Sequence, residues 1–261
     1  MAVVNGHSGL VTSWGSPNNQ LVAISVKPYR YTLTQTADSF DSTLMAASLT
    51  TGLNLKGLRS WSVSMEGHRP TAAIGSAGSV TFSPGYAANV RSWEIVFTAD
   101  EFDNTAMGSA ATTAGWRTFA GGIWRVSGQY EVFLDDTTPL TAPGNSSEPG
   151  TMTLDIGGTK TFAFSAQTQG GPIDVAIGQP QVARYSFNNA GAVTVTDAGD
   201  TMPFPTTGLA VPTASSLVLT SATSQTFTGS AFPRVIRMRC PVDGPIITTV
   251  EARGTGAITY G

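Results

Sequence analysis

TADSFDSTLM (residues 36–45) returns as TADEFDNTAM (98–107), with seven identities in ten positions at a spacing of 62. Agreement this dense marks an internal repeat, and the repeat decides how the rest of the chain is divided. Around it, Tyr31 lines up with Trp93 upstream, and SWSVS (60–64) with IWRVS (123–127) downstream. Earlier still, NGHSGLVT (5–12) matches IGSAGSVT (74–81) at a spacing of 69. Together these matches define one unit, A, present at 4–66 and again at 74–129.

A second unit, B, follows. Residues 152–195 align without a gap on 217–260 at a spacing of 65, with nine identities that include Leu154/Leu219, Thr161-Phe162/Thr226-Phe227 and Gly191-Ala192/Gly256-Ala257. The order is therefore A, A, B, B. If one domain needs one A and one B, the central pair is contiguous. A domain of residues 73–199 is then inserted in a domain made of 1–72 plus 200–261. This nesting leaves fewer strand edges with orphaned backbone groups than four half-units would. Tandem pairing, A with A and B with B, remains open.

Composition gives the class. Only 12% of the 261 residues are charged, against about 25% in an ordinary soluble chain. Gly, Thr, Ser, Val and aromatics dominate, which suits pleated strands and tight turns. The expected fold class is all-β or nearly so. A net charge of −3 without a Lys/Arg cluster argues against a tight grip on nucleic acid. The single Cys240 cannot form an internal disulfide. No segment reaches the roughly 18 apolar residues of a membrane span. No membrane role is expected, and the protein is expected to be made and assembled in a cytoplasm.

Several short stretches invite chemical readings. DIGGTKT (155–161) looks like the phosphate-binding run of actin-fold sugar kinases, yet it aligns on TSATSQT (220–226), where the glycines and lysine are lost. What persists is a hairpin with a permissive Gly157-Gly158 turn. Asp38, Asp41, Asp100, Asp103 and Asn104 lack calcium-loop spacing and fit turns in which carboxylates accept backbone N–H groups. His7 and His68 have no nucleophile partner, so no catalytic, cofactor or metal residue is assigned and the chain is not read as an enzyme. Cys240 reads as a buried thiol. Trp93, Trp116, Trp124 and Tyr130 read as core or interface residues before a sugar-stacking platform.

GSAGSVTF (75–82), NVRSWEIVFTADEFDNTAMG (89–108), GWRTFAGGIWRVSGQYEVFLDD (115–136) and FNNAGAVTV (187–195) resemble the major tail tube proteins of long-tailed bacteriophages. In that family a Trp strand leads through an Asp-and-Thr turn and a helix-bearing segment to a strand that enters a long hairpin loop. The resemblance implies an all-β fold with one or two short helices, built as two antiparallel β-sandwich or barrel domains of the tail-tube type, and rings of such subunits stacked around a DNA channel. Tube rings usually hold six single-domain subunits. Two copies in one chain imply a homotrimeric, pseudo-hexameric ring in the virion tail, assembled in the host bacterial cytoplasm. Genomic DNA would pass through without specific binding. Terminator, tape measure and baseplate or tip proteins would be its partners. The resemblance also implies an inter-ring contact loop at 137–150, with Pro139, Pro143, Asn145, Glu148 and Pro149 as contact residues and PFPTTGLAVPTAS (203–215) as a second arm. A capsid-decorating or neck protein, or a carbohydrate-binding sandwich, are the rival readings.

Overall fold

The computed structural model describes residues 10–14, 27–41, 54–68, 78–83, 89–109, 115–134, 149–157, 161–196, 211–221 and 225–261. Among these the chain is all-β. Its strands are β1 (Leu10–Trp14), β2 (Lys27–Asp41), β3 (Asn54–His68), β4 (Ser79–Ser83), β5 (Val90–Asp103) and β6 (Phe119–Phe133) in the first half. The second half contributes β7 (Gly150–Asp155), β8 (Thr161–Asp174), β9 (Val182–Thr196), β10 (Ser215–Thr220), β11 (Thr226–Pro241) and β12 (Ile247–Tyr260). No helix occurs among the described residues; the segment after the Asp-and-Thr turn that was expected to bear one lies in part, at 110–114, outside them.

Period-two alternation builds these strands. β5 buries Trp93, Ile95, Phe97 and Ala99 and turns Glu94, Val96 and Thr98 to the other face. β6 answers with Trp124, Val126, Tyr130 and Val132. Each such large apolar side chain contributes about 1.5–3 kcal/mol on burial.

All strands are antiparallel and belong to one sheet. Two runs of the same order compose it: β2-β3-β12-β11-β10-β1 and β5-β6-β9-β8-β7-β4, joined where β11 pairs with β5. Two separate sheet systems were expected, and the β11–β5 ladder makes them continuous. The sheet is not closed into a barrel. Each run curls, and the side chains buried by both form one continuous cluster: Phe162 of β8 meets Trp93 and Phe97 of β5 at ring distances of 6.3 and 6.0 Å. In the other run the Tyr31 hydroxyl donates to the Thr220 carbonyl at 3.2 Å.

The registers of the two runs coincide. Tyr31↔Met65 matches Trp93↔Tyr130, Val11↔Leu219 matches Val80↔Leu154, and Ala231↔Gly254 matches Ala166↔Asn189. These pairs shift β3 onto β6 by 65 residues, whereas the sequence match of Trp61 with Trp124 gave 63. The true counterpart of Trp61 is Val126. A slip of two preserves the inward face, so both tryptophans are buried and the match looked sound.

Large and small side chains are traded between the equivalent layers. Trp61 lies over Gly229 and Gly254; a Cβ on Gly254 would come within 2.0 Å of its ring. The other run has Val126, Phe164 and Asn189 at these places. Likewise the pair Val63↔Ala252 is replaced by Gly128↔Phe187. Bulk moves from one strand to its neighbours while the inward face is kept, and cores tolerate such exchange when the space stays filled.

The connection between β5 and β6 fastens the two runs a second time. Arg117 donates its backbone N–H to the Arg59 carbonyl at 2.8 Å and accepts from Gly256 at 2.9 Å. The Arg59 guanidinium sits 4.3 Å from the centre of the Trp116 ring. The Arg117 guanidinium pairs with Asp38 and, at 2.8 Å, with Asp103, joining one aspartate from each copy of the repeat. Hydrogen bonds from Thr105, reinforced by Arg117, hold the Asp103 carboxyl below its ordinary range.

Two outcomes follow from this packing. Gly254→Ala should lower stability by about 1–3 kcal/mol in urea unfolding, because its methyl group overlaps Trp61. Gly191→Ala, with open space around its Cβ, should change stability by less than about 0.5 kcal/mol; equal effects would contradict the packing. For Asp103 the folded pKa is depressed, so its contribution is present at neutral pH and lost as pH falls through the folded value. Asp103→Asn should therefore be less stable than the parent at pH 7, by no more than about 1 kcal/mol for so exposed a pair. The gap should close below about pH 4, as read by thermal melts across pH 3–7.

Candidate assembly interface

The joint between the runs exists because β11 outgrows its neighbour. β10 covers only Thr226–Ala231 of this sixteen-residue strand. Beyond a bulge between Pro233 and Val235, residues 235–241 pair instead with β5, from Val235↔Thr98 to Pro241↔Ser92. The Val242 N–H extends the ladder to the Arg91 carbonyl at 2.9 Å. On the core face Ile236, Met238 and Cys240 stand opposite Phe97, Ile95 and Trp93, and all six are buried. On the other face Arg237 pairs with Glu94 at 3.0 Å, and Arg239 shares a recess with Glu94 and Glu131. Arg234 bridges Glu251 at 3.2 Å and Glu101 at 3.6 Å.

β8 is built the same way but stops short of a partner. β7 covers Thr161–Ala166; past Ala166, β8 has β9 on one side and, among the described residues, no strand on the other. All residues from 169 to 181 are exposed. Ile173 is 48% exposed, Val175 67%, and Ile177 wholly so. Their counterparts Met238 and Cys240 are 1% and 2% exposed. At the opposite end of the sheet, β2 pairs with β3 and its other edge meets no strand among the described residues. Tyr31 and Leu33 there are only half-buried, although Trp93 and Ile95, in the equivalent places, are fully so.

Charge marks both edges. Asp174 lies 3.4 Å from Arg184, which donates to Glu131 at 2.7 Å. Burial raises the pKa of Glu131, but Arg184 and Ser92 outweigh it and hold the carboxyl below its ordinary range. On β2, Arg30 pairs with Glu66 at 2.7 Å.

The residues singled out from sequence fall into three groups. Pro139, Pro143, Asn145 and Glu148 lie outside the described residues, as do His7 and 203–210; Pro149 is exposed at the start of β7. The end of the suggested second arm is packed within the chain, with Pro212 against Gly121 of β6. Trp93, Trp116, Trp124 and Tyr130 are buried, out of reach of a sugar ring, and Cys240 is a buried free thiol. Asp103 accepts the Thr105 N–H at 3.0 Å, and Asp155 accepts the Gly157 N–H at 2.7 Å where β7 turns toward β8. These are turn roles. What sequence reading missed is the pair of edges, on β2 and on β8 past Ala166, that meet no further strand among the described residues. The alternation of Ile173, Val175 and Ile177, aligned on Met238, Cys240 and Val242, was the signal available. No protein-family model matches the chain, and no significantly similar sequence was found among curated proteins.

Proposed function

We propose that the chain is a structural subunit that closes into trimeric, pseudo-hexameric rings and stacks as the tail tube of a long-tailed bacteriophage. The observation that carries this reading is the β11–β5 joint: two equivalent six-strand runs already lie side by side in one sheet, and among the described residues the outer edge of β2 and the part of β8 past Ala166 meet no further strand. A contact between unlike edges is heterologous, and such contacts generate rings or filaments. The division into domains 1–72 plus 200–261 and 73–199 belongs to this reading, since each run would be one ring position.

The face turned away from the core suits a channel wall. It is rich in Ser and Thr, and several of its arginines are held by carboxylates: Arg30 by Glu66, Arg125 by Asp100, Arg184 by Glu131 and Arg237 by Glu94. A guanidinium engaged this way adds little phosphate affinity, so DNA could slide. Terminator, tape measure and tip proteins would cap and fill such a tube, and the loop 137–150 would reach from ring to ring.

Native mass measurement should find trimers, and negative-stain images should show hollow tubes once tail-initiating components are added. A persistent monomer would contradict the ring, and single rings bound to a shell would favour a decorating or neck protein. Replacing 139–148 by a short Gly-Ser turn should leave the trimer intact and abolish tube growth. Tubes of normal length from that variant would remove the loop from stacking.

A further inference from the structure

We propose that residues 173–176, at and just beyond the end of β8, pair antiparallel with residues 30–33 of β2 in a second copy of this chain, in the register that β11 and β5 already use within one chain. This deepens the ring reading and rests on it. The transposition is anchored on both edges. β8 and β11 share register on either side of their bulges: Ala166↔Asn189 matches Ala231↔Gly254, and Ile173↔Ala183 matches Met238↔Thr248. β2 and β5 share it through Tyr31↔Met65 and Trp93↔Tyr130. Moving the β11–β5 ladder by these shifts sets Ile173 opposite Leu33 of the neighbouring copy, Asp174 opposite Thr32, Val175 opposite Tyr31 and Ala176 opposite Arg30. Apolar side chains that stand exposed on β8 then meet the half-buried aromatic and aliphatic side chains of β2.

The charges identify the occupant further, because they are inverted between the two joints. Within the chain, basic Arg237 and Arg239 of β11 face acidic Glu94 and Glu131. Between copies, acidic Asp174 stands where Arg239 does, diagonal to Arg30, which stands where Ser92 does. At β2 Asp174 meets Thr32 and, diagonally, the cation Arg30, which is itself paired with Glu66; at a foreign β5 it would meet Glu94, with Ser92 in the place of Arg30. Like-charge contacts of this kind penalise wrong partners. The inversion therefore directs the β8 edge to β2 of a neighbour and away from β5.

The test is cysteine pairing in the full chain. Asp174→Cys with Thr32→Cys should give disulfide-linked oligomers on oxidation, whereas Asp174→Cys with Thr36→Cys, about 13 Å off register, should not. Asp174→Arg, an exposed change, should weaken self-association about tenfold by placing a second cation beside Arg30. Oligomers without the in-register crosslink, or with equal crosslinking at Thr36, would overturn this joint while leaving the ring standing. A chain that stays monomeric and uncrosslinked at high concentration would overturn both. Crosslinked rings that never stack would uphold the joint and remove the tube.

Discussion

A long strand beside a short one must find a second partner. β11 carries sixteen residues and β10 only six, so more than half of the β11 edge would present backbone donors and acceptors to solvent if nothing else met it. β5 meets it, and the architecture depends on that ladder. It converts two runs into one sheet, buries Trp93, Ile95 and Phe97 against Ile236, Met238 and Cys240, and aligns the opposite face so that arginines of β11 find carboxylates of β5. The same mismatch of lengths recurs in β8 and β7, fourteen residues against six, with no second neighbour among the described residues.

The repeats have kept backbone register while exchanging side-chain volume. Trp61 filling the space over Gly229 and Gly254 does the work that Phe164, Asn189 and Val126 share in the other run. Aromatic stacking follows the same trade. Tyr130 and Tyr185 lie 5.2 Å apart, nearly parallel, where the first run has Met65 and Val250. Strand pairing tolerates such exchange because its hydrogen bonds are made by the backbone. The core requires only that the inward face stay apolar and closely filled.

Much of the fold was legible in the sequence. The repeat at 36–45 and 98–107, the gapless match of 152–195 to 217–260 and the alternation through SWEIVFTA carry the all-β class and the correspondence of strands. Less was legible where period two is ambiguous: the match of Trp61 to Trp124 missed the true shift by one pleat, which only cross-strand register resolves. The continuity of the sheet was hidden because it depends on relative strand length, and strand ends are poorly marked in Thr- and Gly-rich sequence. Arg117 was hidden for a different reason. Its partners Asp38 and Asp103 come from different copies of the repeat, and their meeting point is set by tertiary structure alone. Of the assembly interface, the sequence offered composition and the exposed-looking run of Ile173, Val175 and Ile177, but not which edges stood open.

The central claim is that the β8 and β2 edges are completed by another copy of the chain. Amide hydrogen exchange compared between dilute protein and the assembled state reads it directly. Among residues 173–176 and 30–33, the amides that point away from β9 and β3 should exchange fast when dilute and gain protection together on assembly, while those at 235–241 and 92–98, already paired within the chain, should be protected in both states. Assembly that leaves those outward amides unprotected, or that protects only one of the two edges, would contradict the account.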